Sequence, residues 1–305
     1  MESGLRKATG SDFKLVVGRS NAGDKIFGMK NPSKANLCYV NSLVQCLLSL
    51  RVFPLATLRN VDLHGQPTWK ALVDLWATID DDAFGMGSSL SCGNYLSTLL
   101  EGKVGEQQDA HELLLKLVDR LDSEAPRIKK KKKKKKNDWA EVSKTGAKVE
   151  VTTLGTETTL GPVMEVFGAV FQNSKKNRRI LEPAVGVRVP LLSNWQSWIN
   201  GMKFEKVPEI LILHLEREMD GRGRLVGGEF EGLDTINIME DTFDLHAVLL
   251  HAGDTLYRGH YIARIHMGDH EWSERDDETC SRRVEDAYEK IRPFVPYILF
   301  FRKRA

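Results

Sequence analysis

The stretch Asn36-Leu37-Cys38-Tyr39-Val40-Asn41-Ser42-Leu43 sets a cysteine at the point where a loop turns into a helix. Val40, Leu43, Val44, Leu47 and Leu48 recur at three- and four-residue steps, which predicts one apolar helical face starting near that cysteine. A helix N-terminus has unpaired backbone N–H groups and the positive end of the dipole, so it favours a thiolate over a thiol. The thiolate is the attacking species in cysteine catalysis, although most free cysteines are simply small buried hydrophobes. Cys46 lies further along the same helix, and Cys92 and Cys280 lack a helical start, so these three fit core or surface positions.

A catalytic thiolate needs an imidazole that can protonate a leaving amine, and a group that orients the imidazole. Eight histidines compete for that place. His214, within Ile210-Leu211-Ile212-Leu213-His214-Leu215, reads as a core residue of a central strand. His64, His266 and His270 stand in polar surroundings and read as exposed. His111 falls on the polar side of a helix, and His246 and His251 near the two ends of one strand. His260 differs, because Tyr257-Arg258-Gly259-His260-Tyr261 delivers it from a glycine loop onto a strand edge. Trp272-Ser273-Glu274-Arg275-Asp276-Asp277 follows at a spacing that lets an antiparallel hairpin bring Asp276 beside His260. By spacing alone, an Asp-Asp pair is also the composition of a solvated turn.

Around these segments the chain has 305 residues, 41% hydrophobic and 28% charged, which fits a packed globule and excludes a disordered chain. Four cysteines without a C-x-x-C pair argue against a disulfide scaffold and against a multi-thiolate zinc site, so no metal or other cofactor is expected. Residues 1–24 are polar and glycine-bearing and are expected to form a loose tail without the apolar core of a signal peptide. No apolar run is long enough to span a bilayer, and free thiols suit a reducing compartment, so a cytoplasmic or nuclear protein is expected. The formal charge of +2 rests on the eight lysines of Lys129–Lys136, which read as a solvated insertion near residues 125–148. Without them the body is acidic, which suits a basic partner better than nucleic acid.

Trp69, Leu72, Val73 and Trp76 predict a second helix. Ala110, Leu113, Leu114, Leu117, Val118 and Leu121 predict a long one over about Gln107–Leu121. Short apolar runs then predict strands at Val149–Thr153, Val163–Phe171, Val185–Val189, Ile210–Leu215, Leu245–His251, His260–His266 and Tyr297–Phe301. Helices first and antiparallel strands afterwards argue for an α+β fold.

Taken together, these segments resemble the ubiquitin-specific proteases, a papain-like family shaped as a hand with helical thumb, antiparallel β palm and fingers. Gly28-Met29-Lys30-Asn31 followed by Asn36 to Leu43 is similar to the family's cysteine box, and Gln107-Gln108-Asp109-Ala110-His111-Glu112-Leu113 to its Gln-Gln-Asp helix. Val207 to Arg217, Ala247 to Gly253, Gly259-His260-Tyr261, Trp272 to Asp277 and Tyr297 to Phe301 follow in the family's order. The resemblance implies one catalytic domain over residues 25–305, acting on ubiquitin or a ubiquitin-like modifier and its conjugates. It implies Cys38 as nucleophile, His260 as base and acid, Asp276 as orienting carboxylate and Asp277 as an auxiliary. It also places Asp109, Gln108 and Tyr261 against the modifier, Asp109 facing its basic C-terminal tail; a helix cap is the plainer reading of Asp109.

Two departures from the family pattern stand out. The segment from Asn31 to Cys38 is about two residues longer than usual, which leaves Asn31, Asn36 or backbone N–H groups as oxyanion donor, with Asn31 preferred. Ser174-Lys175-Lys176-Asn177 stands where the family often has zinc-binding cysteines, which implies short fingers without metal. A weakened scaffold that binds the modifier without cleaving it is the alternative.

Overall fold

Helix α1, Cys38–Ser49, begins at the cysteine as the apolar spacing requires, yet it has no solvent face over most of its length. Every residue from Cys38 to Leu47 is buried, including Asn41, Ser42 and Gln45. Their donors find partners inside: Ser42 Oγ donates to the Cys38 carbonyl at 2.6 Å, Gln45 Nε2 to the Phe27 carbonyl at 2.9 Å and Asn41 Nδ2 to Asp277 Oδ1 at 2.7 Å, while Asn41 Oδ1 has no hydrogen bond among the described residues. The amphipathic surface helix expected from the apolar steps is thus a central helix, packed on all sides.

The computed structural model describes residues 5–15, 26–33, 35–80, 89–92, 95, 105–126, 162–167, 170–171, 201, 204–215, 222, 233–255, 257–268, 271–281, 284–288 and 293–304. The lysine run, the expected strands at 149–153 and 185–189, the finger stretch at 174–177 and His270 lie outside them.

Around α1 the helical side continues with α2, Leu55–Leu58, and α3, Pro67–Asp80. Next comes α4, Ala110–Glu124, whose apolar stripe from Ala110 to Leu121 is buried as expected. It starts later than the predicted Gln107 because Asp109 occupies the N-cap, its side chain accepting from the His111 N–H. Glu124, at the far end of α4, accepts from the backbone N–H groups of Thr68 and Trp69 and so caps α3.

The expected strand at 163–171 is corrected to helix α5, Pro162–Phe167, followed by a two-residue strand, Val170–Phe171. Pro162 pre-sets φ at the first helical position, and Val163, Val166 and Phe167 recur at a helical step and are all buried. Pro32, Ser33, Ala35 and Asn36, by contrast, lie outside helix and strand, with Asn36 in the left-handed region at φ 50°.

The palm is a seven-stranded sheet in the order β12-β11-β10-β9-β13-β7, with β8 also paired to β9. Its strands are β7 (Ile210–His214), β8 (Thr235–Ile238), β9 (Asp241–Thr255), β10 (Arg258–Gly268), β11 (Glu271–Asp276), β12 (Thr279–Cys280) and β13 (Val295–Lys303). All these pairings are antiparallel. The chain is therefore α+β, with helices on one side and an antiparallel sheet on the other. His214 stands in a strand at the end of the sheet path, not in the centre of the sheet. The expected hairpin is present: β10 and β11 pair in the register Ala263↔Arg275 and Arg264↔Glu274. Arg264, 5% exposed, clamps it through Glu274 at 2.7 Å.

Part of the expected tail is built into the body. Strand β1, Arg6–Lys7, pairs in parallel with β3, Val61–Asp62. A 3-10 turn, Gly10–Phe13, follows under a capping box from Thr9 and Asp12. Asp12 is held well below the usual carboxylate range, chiefly by its hydrogen bond from Arg6. Phe13 meets Trp69 edge-on at 5.2 Å, and both rings are fully buried. One aromatic among polar residues is a weak sequence signal, but it anchors the whole segment. Phe13→Ala is expected to lower stability by about 3–5 kcal/mol in urea unfolding. A loss below about 1 kcal/mol would mean that residues 5–15 behave as a tail after all.

Candidate active site

The loop after β2, Gly28–Met29, the start of α1, and the β10–β11 hairpin converge on one point. Met29 N–H donates to the Asp277 carbonyl at 2.8 Å. A Cβ on Gly28 would meet the Glu278 carbonyl oxygen at 2.5 Å, so only glycine lets the loop and the hairpin turn approach this closely. Cys38 opens α1 and is 3% exposed. Across from it, His260 Nε2 is hydrogen-bonded to Asp276 Oδ1 at 2.5 Å, with the two side chains 39% and 44% exposed. The ring's pKa is raised to about 10, first by the hydrogen bond with Asp276 and then by one with Cys38. Asp276 therefore stands beside His260, as the sequence spacing predicted, and Cys38 is near enough to the ring to help hold a proton on the imidazole.

Asp277 does something other than back up Asp276. It lies at φ 48°, and its Oδ2 accepts from Asn31 Nδ2 at 2.8 Å and its Oδ1 from Asn41 Nδ2 at 2.7 Å. Both oxygens thus hold amides of the loop and of α1, while Asp276 is the carboxylate bonded to His260. Asn31 in turn accepts the Leu37 N–H at 2.9 Å, which closes the long loop just ahead of Cys38. Asn36 faces elsewhere and donates to the Gly105 carbonyl at 2.7 Å. Of the candidate side-chain donors, Asn31 is the one bound to the turn that carries Asp276 and Asp277. Asn41 went unnoticed in the sequence; the only signal was a polar residue one turn after Cys38 in an apolar helix.

Among the described residues, His260, Asp276 and Asp277 form the grouping that could meet a metal ion, with ligand atoms within 4.8 Å of one another. The amides on Asp277 and the Asp276–His260 bond account for this grouping as an orienting network.

The cleft beside His260 is shaped by backbone. A Cβ on Gly253 would stand 2.2 Å from the Arg258 carbonyl oxygen, and one on Gly259 would stand 2.2 Å from that of Ala252. Gln107 Oε1 accepts the Gly259 N–H at 3.0 Å, tying the start of α4 to the histidine strand. Its Nε2 is buried with no hydrogen-bond partner among the described residues. Gln108 is half-buried next to it.

Asp109, 8% exposed, accepts the Tyr297 hydroxyl at 2.7 Å and the His111 N–H at 2.8 Å, both on Oδ1. Its capping role is present, and the second oxygen carries no hydrogen bond among the described residues. Tyr297 keeps its proton for this bond, since burial and then Asp109 push its pKa up.

Tyr261, expected against the modifier, is corrected to a packing role. It is fully buried, its ring 4.4 Å from His251, because strand alternation turns it to the face opposite His260. His111 is half-buried rather than on a polar face, stacked 3.7 Å from His214. Burial lowers the His214 pKa to about 3, so that ring is neutral. Cys46 and Cys92 are fully buried, and burial pushes both thiols up, Cys92 to about 12.

A family model described as ubiquitin carboxyl-terminal hydrolase matches residues 27–301. Among solved structures, the SAGA DUB module of Ubp8, Sgf11, Sus1 and Sgf73 is similar at 17% identity, covering 94% of this chain and 70% of that one, with a TM-score of 0.60. A yeast SAGA DUB module with an Sgf73 mutant gives 18% identity, 94% and 71% coverage and a TM-score of 0.58. No curated protein matches the chain. Likeness at this level of identity shows the fold.

Asp277→Ala is expected to remove the acceptor of the Asn31 amide and the shortest bond of the Asn41 amide, which keeps only the Met29 and Lys30 carbonyls at 3.3 and 3.4 Å. Asn41 is 2% exposed, so the cost should be about 1–3 kcal/mol in chemical unfolding. Unchanged stability would show that those amides do not depend on Asp277.

Proposed function

Because the chain belongs to the ubiquitin carboxyl-terminal hydrolase family, we propose that it is a thiol isopeptidase cleaving ubiquitin or a ubiquitin-like modifier from conjugated proteins through Cys38, His260 and Asp276. The observation that carries this reading is the His260 ring, hydrogen-bonded to Asp276 and with its pKa raised by both Asp276 and the cysteine at the helix start.

In the reaction, the Cys38 thiolate attacks the carbonyl at the end of the modifier's tail. The protonated His260 gives its proton to the departing lysine amine, which leaves an acyl-enzyme thioester. Water then enters, His260 takes one of its protons, and hydrolysis releases the modifier with a free carboxylate and restores the thiolate. Asp276 holds the ring in position through both steps. The second N–H of Asn31 Nδ2 and the backbone N–H at Cys38 are the donors for the oxyanion, and losing one such donor costs on the order of 3 kcal/mol of transition-state stabilisation.

An extended peptide suits the cleft. The glycines at 253 and 259 let the two strands before His260 close on each other, and Gln107, bonded to the Gly259 N–H, is the neighbouring side chain whose buried Nε2 would have to turn outward to donate to a peptide carbonyl. The remaining oxygen of Asp109 is the carboxylate for a basic residue of the tail, with Gln108 beside it. The free thiols suit action in the reducing cytoplasm or nucleus. No described helix is long and apolar enough to cross a membrane.

Cys38→Ala is expected to abolish both cleavage of a ubiquitin C-terminal reporter and capture by a modifier probe bearing a C-terminal electrophile, while binding persists. Wild-type protein that binds the modifier but escapes capture would establish the non-cleaving scaffold instead.

The pH dependence has a definite sign. A ring whose pKa is raised from 6.5 to about 10 stays protonated through neutrality and loses its proton as pH rises through about 10. The alkaline limb of kcat/KM is therefore expected near that value. Asp276→Asn removes the largest cause of the shift and should draw the limb down toward 6.5. A limb that does not move in Asp276→Asn would assign it to another group.

A further inference from the structure

A cavity of about 390 Å³ opens between α1, α2, α3 and the β10–β11 hairpin, and Cys38, His260 and Asp276 are not among its walls. Leu48, Trp76, Ile79 and Ile265 make much of it apolar, and Arg275 and Gln45 line it from within. Arg275 is 3% exposed. Its Nε donates to Ser273 Oγ at 3.0 Å, and its Nη1 reaches Gln45 Oε1 at 3.4 Å and the Phe27 carbonyl at 3.5 Å. Nη2 lies 3.9 Å from the Met267 sulfur, and the guanidinium stands 5.8 Å from the centre of the Phe27 ring. The Cys280 thiol is also close. Among the described residues no carboxylate pairs with it.

A buried guanidinium surrounded by uncharged groups is costly, and burial pulls its pKa below the usual 12.5. Its fork of donors matches a carboxylate, which accepts two parallel N–H bonds. Arg51 and Asp80 also line the cavity with opposite charges, Asp80 lying 4.0 Å from Arg59, so neither sign dominates away from Arg275. The cavity volume falls in the range of small-molecule sites, which typically join apolar walls to a few placed polar groups.

We propose that this cavity binds a small amphipathic carboxylate, with its anionic head on Arg275 and its apolar body against Leu48, Trp76 and Ile79. The bound molecule would touch β11 one residue from Asp276, and α1 at Gln45.

The full-length chain is titrated calorimetrically with octanoate and, in parallel, with octanol, so that binding is read without turnover. Octanoate should saturate a single site, and octanol should bind on the order of tenfold more weakly or worse, the cost of losing a charge-assisted hydrogen bond. Arg275→Met should bring octanoate down to the affinity of octanol. Ala56→Trp alters an exposed wall residue and should block both ligands in a protein that folds normally. Equal affinity for the two ligands, no saturable octanoate binding, or undiminished binding in Ala56→Trp would each overturn the site.

Discussion

The organisation of this protein depends on burying one helix completely. A helix surrounded by protein needs partners for the polar side chains it carries, and α1 draws those of the Asn41 Nδ2 and Gln45 Nε2 donors from distant segments. Gln45 takes the Phe27 carbonyl, and Asn41 shares Asp277 with Asn31. These bonds fix the direction in which α1 emerges, and so the place where Cys38 sits. They also fix the hairpin turn that carries Asp276. Position at the reactive centre is thus set by amide–carboxylate bonding just behind it, in surroundings where a lost partner is expensive.

The sheet contributes the other half of that precision. His260 and Asp276 come from neighbouring strands whose register is held by the backbone pairing from Ala263↔Arg275 to Gly268↔Glu271 and by the Arg264–Glu274 clamp. A β-hairpin can slip only in steps that turn every side chain to the wrong face. The pair is therefore either correctly opposed or absent, with little between. The two close glycine contacts beside His260 belong to the pairing of β10 with β9 on its other side, which explains why small residues sit on strands that otherwise favour branched ones.

Much of this was legible in the sequence where local pattern and tertiary role coincide. The helix at Cys38, the stripe of α4 and the hairpin linking His260 to Asp276 all follow from spacing. The misreadings arose where tertiary packing overruled local pattern. The valines at 163 and 166 favour a strand, but the proline ahead of them and their buried spacing made a helix. Phe13 looked like an ornament on a tail until Trp69 supplied its contact. The role of Asp277 was illegible because its two partners, Asn31 and Asn41, lie far away in sequence and nothing local distinguishes it from a turn residue. Tyr261 follows the histidine directly, and its burial is decided by the strand's alternation.

The distance in sequence between these partners governs how the molecule comes into being. Asn31 and Asp277 are 246 residues apart, and Asn41 and Asp277 are 236. Contacts of such span form only after most of the chain has collapsed around them, because the entropy of closing so large a loop must be met before the contact returns anything. The thiol of a growing or half-folded chain consequently stands beside neither His260 nor the turn that holds the loop. A site assembled from the two ends of a domain does not exist until the domain is whole.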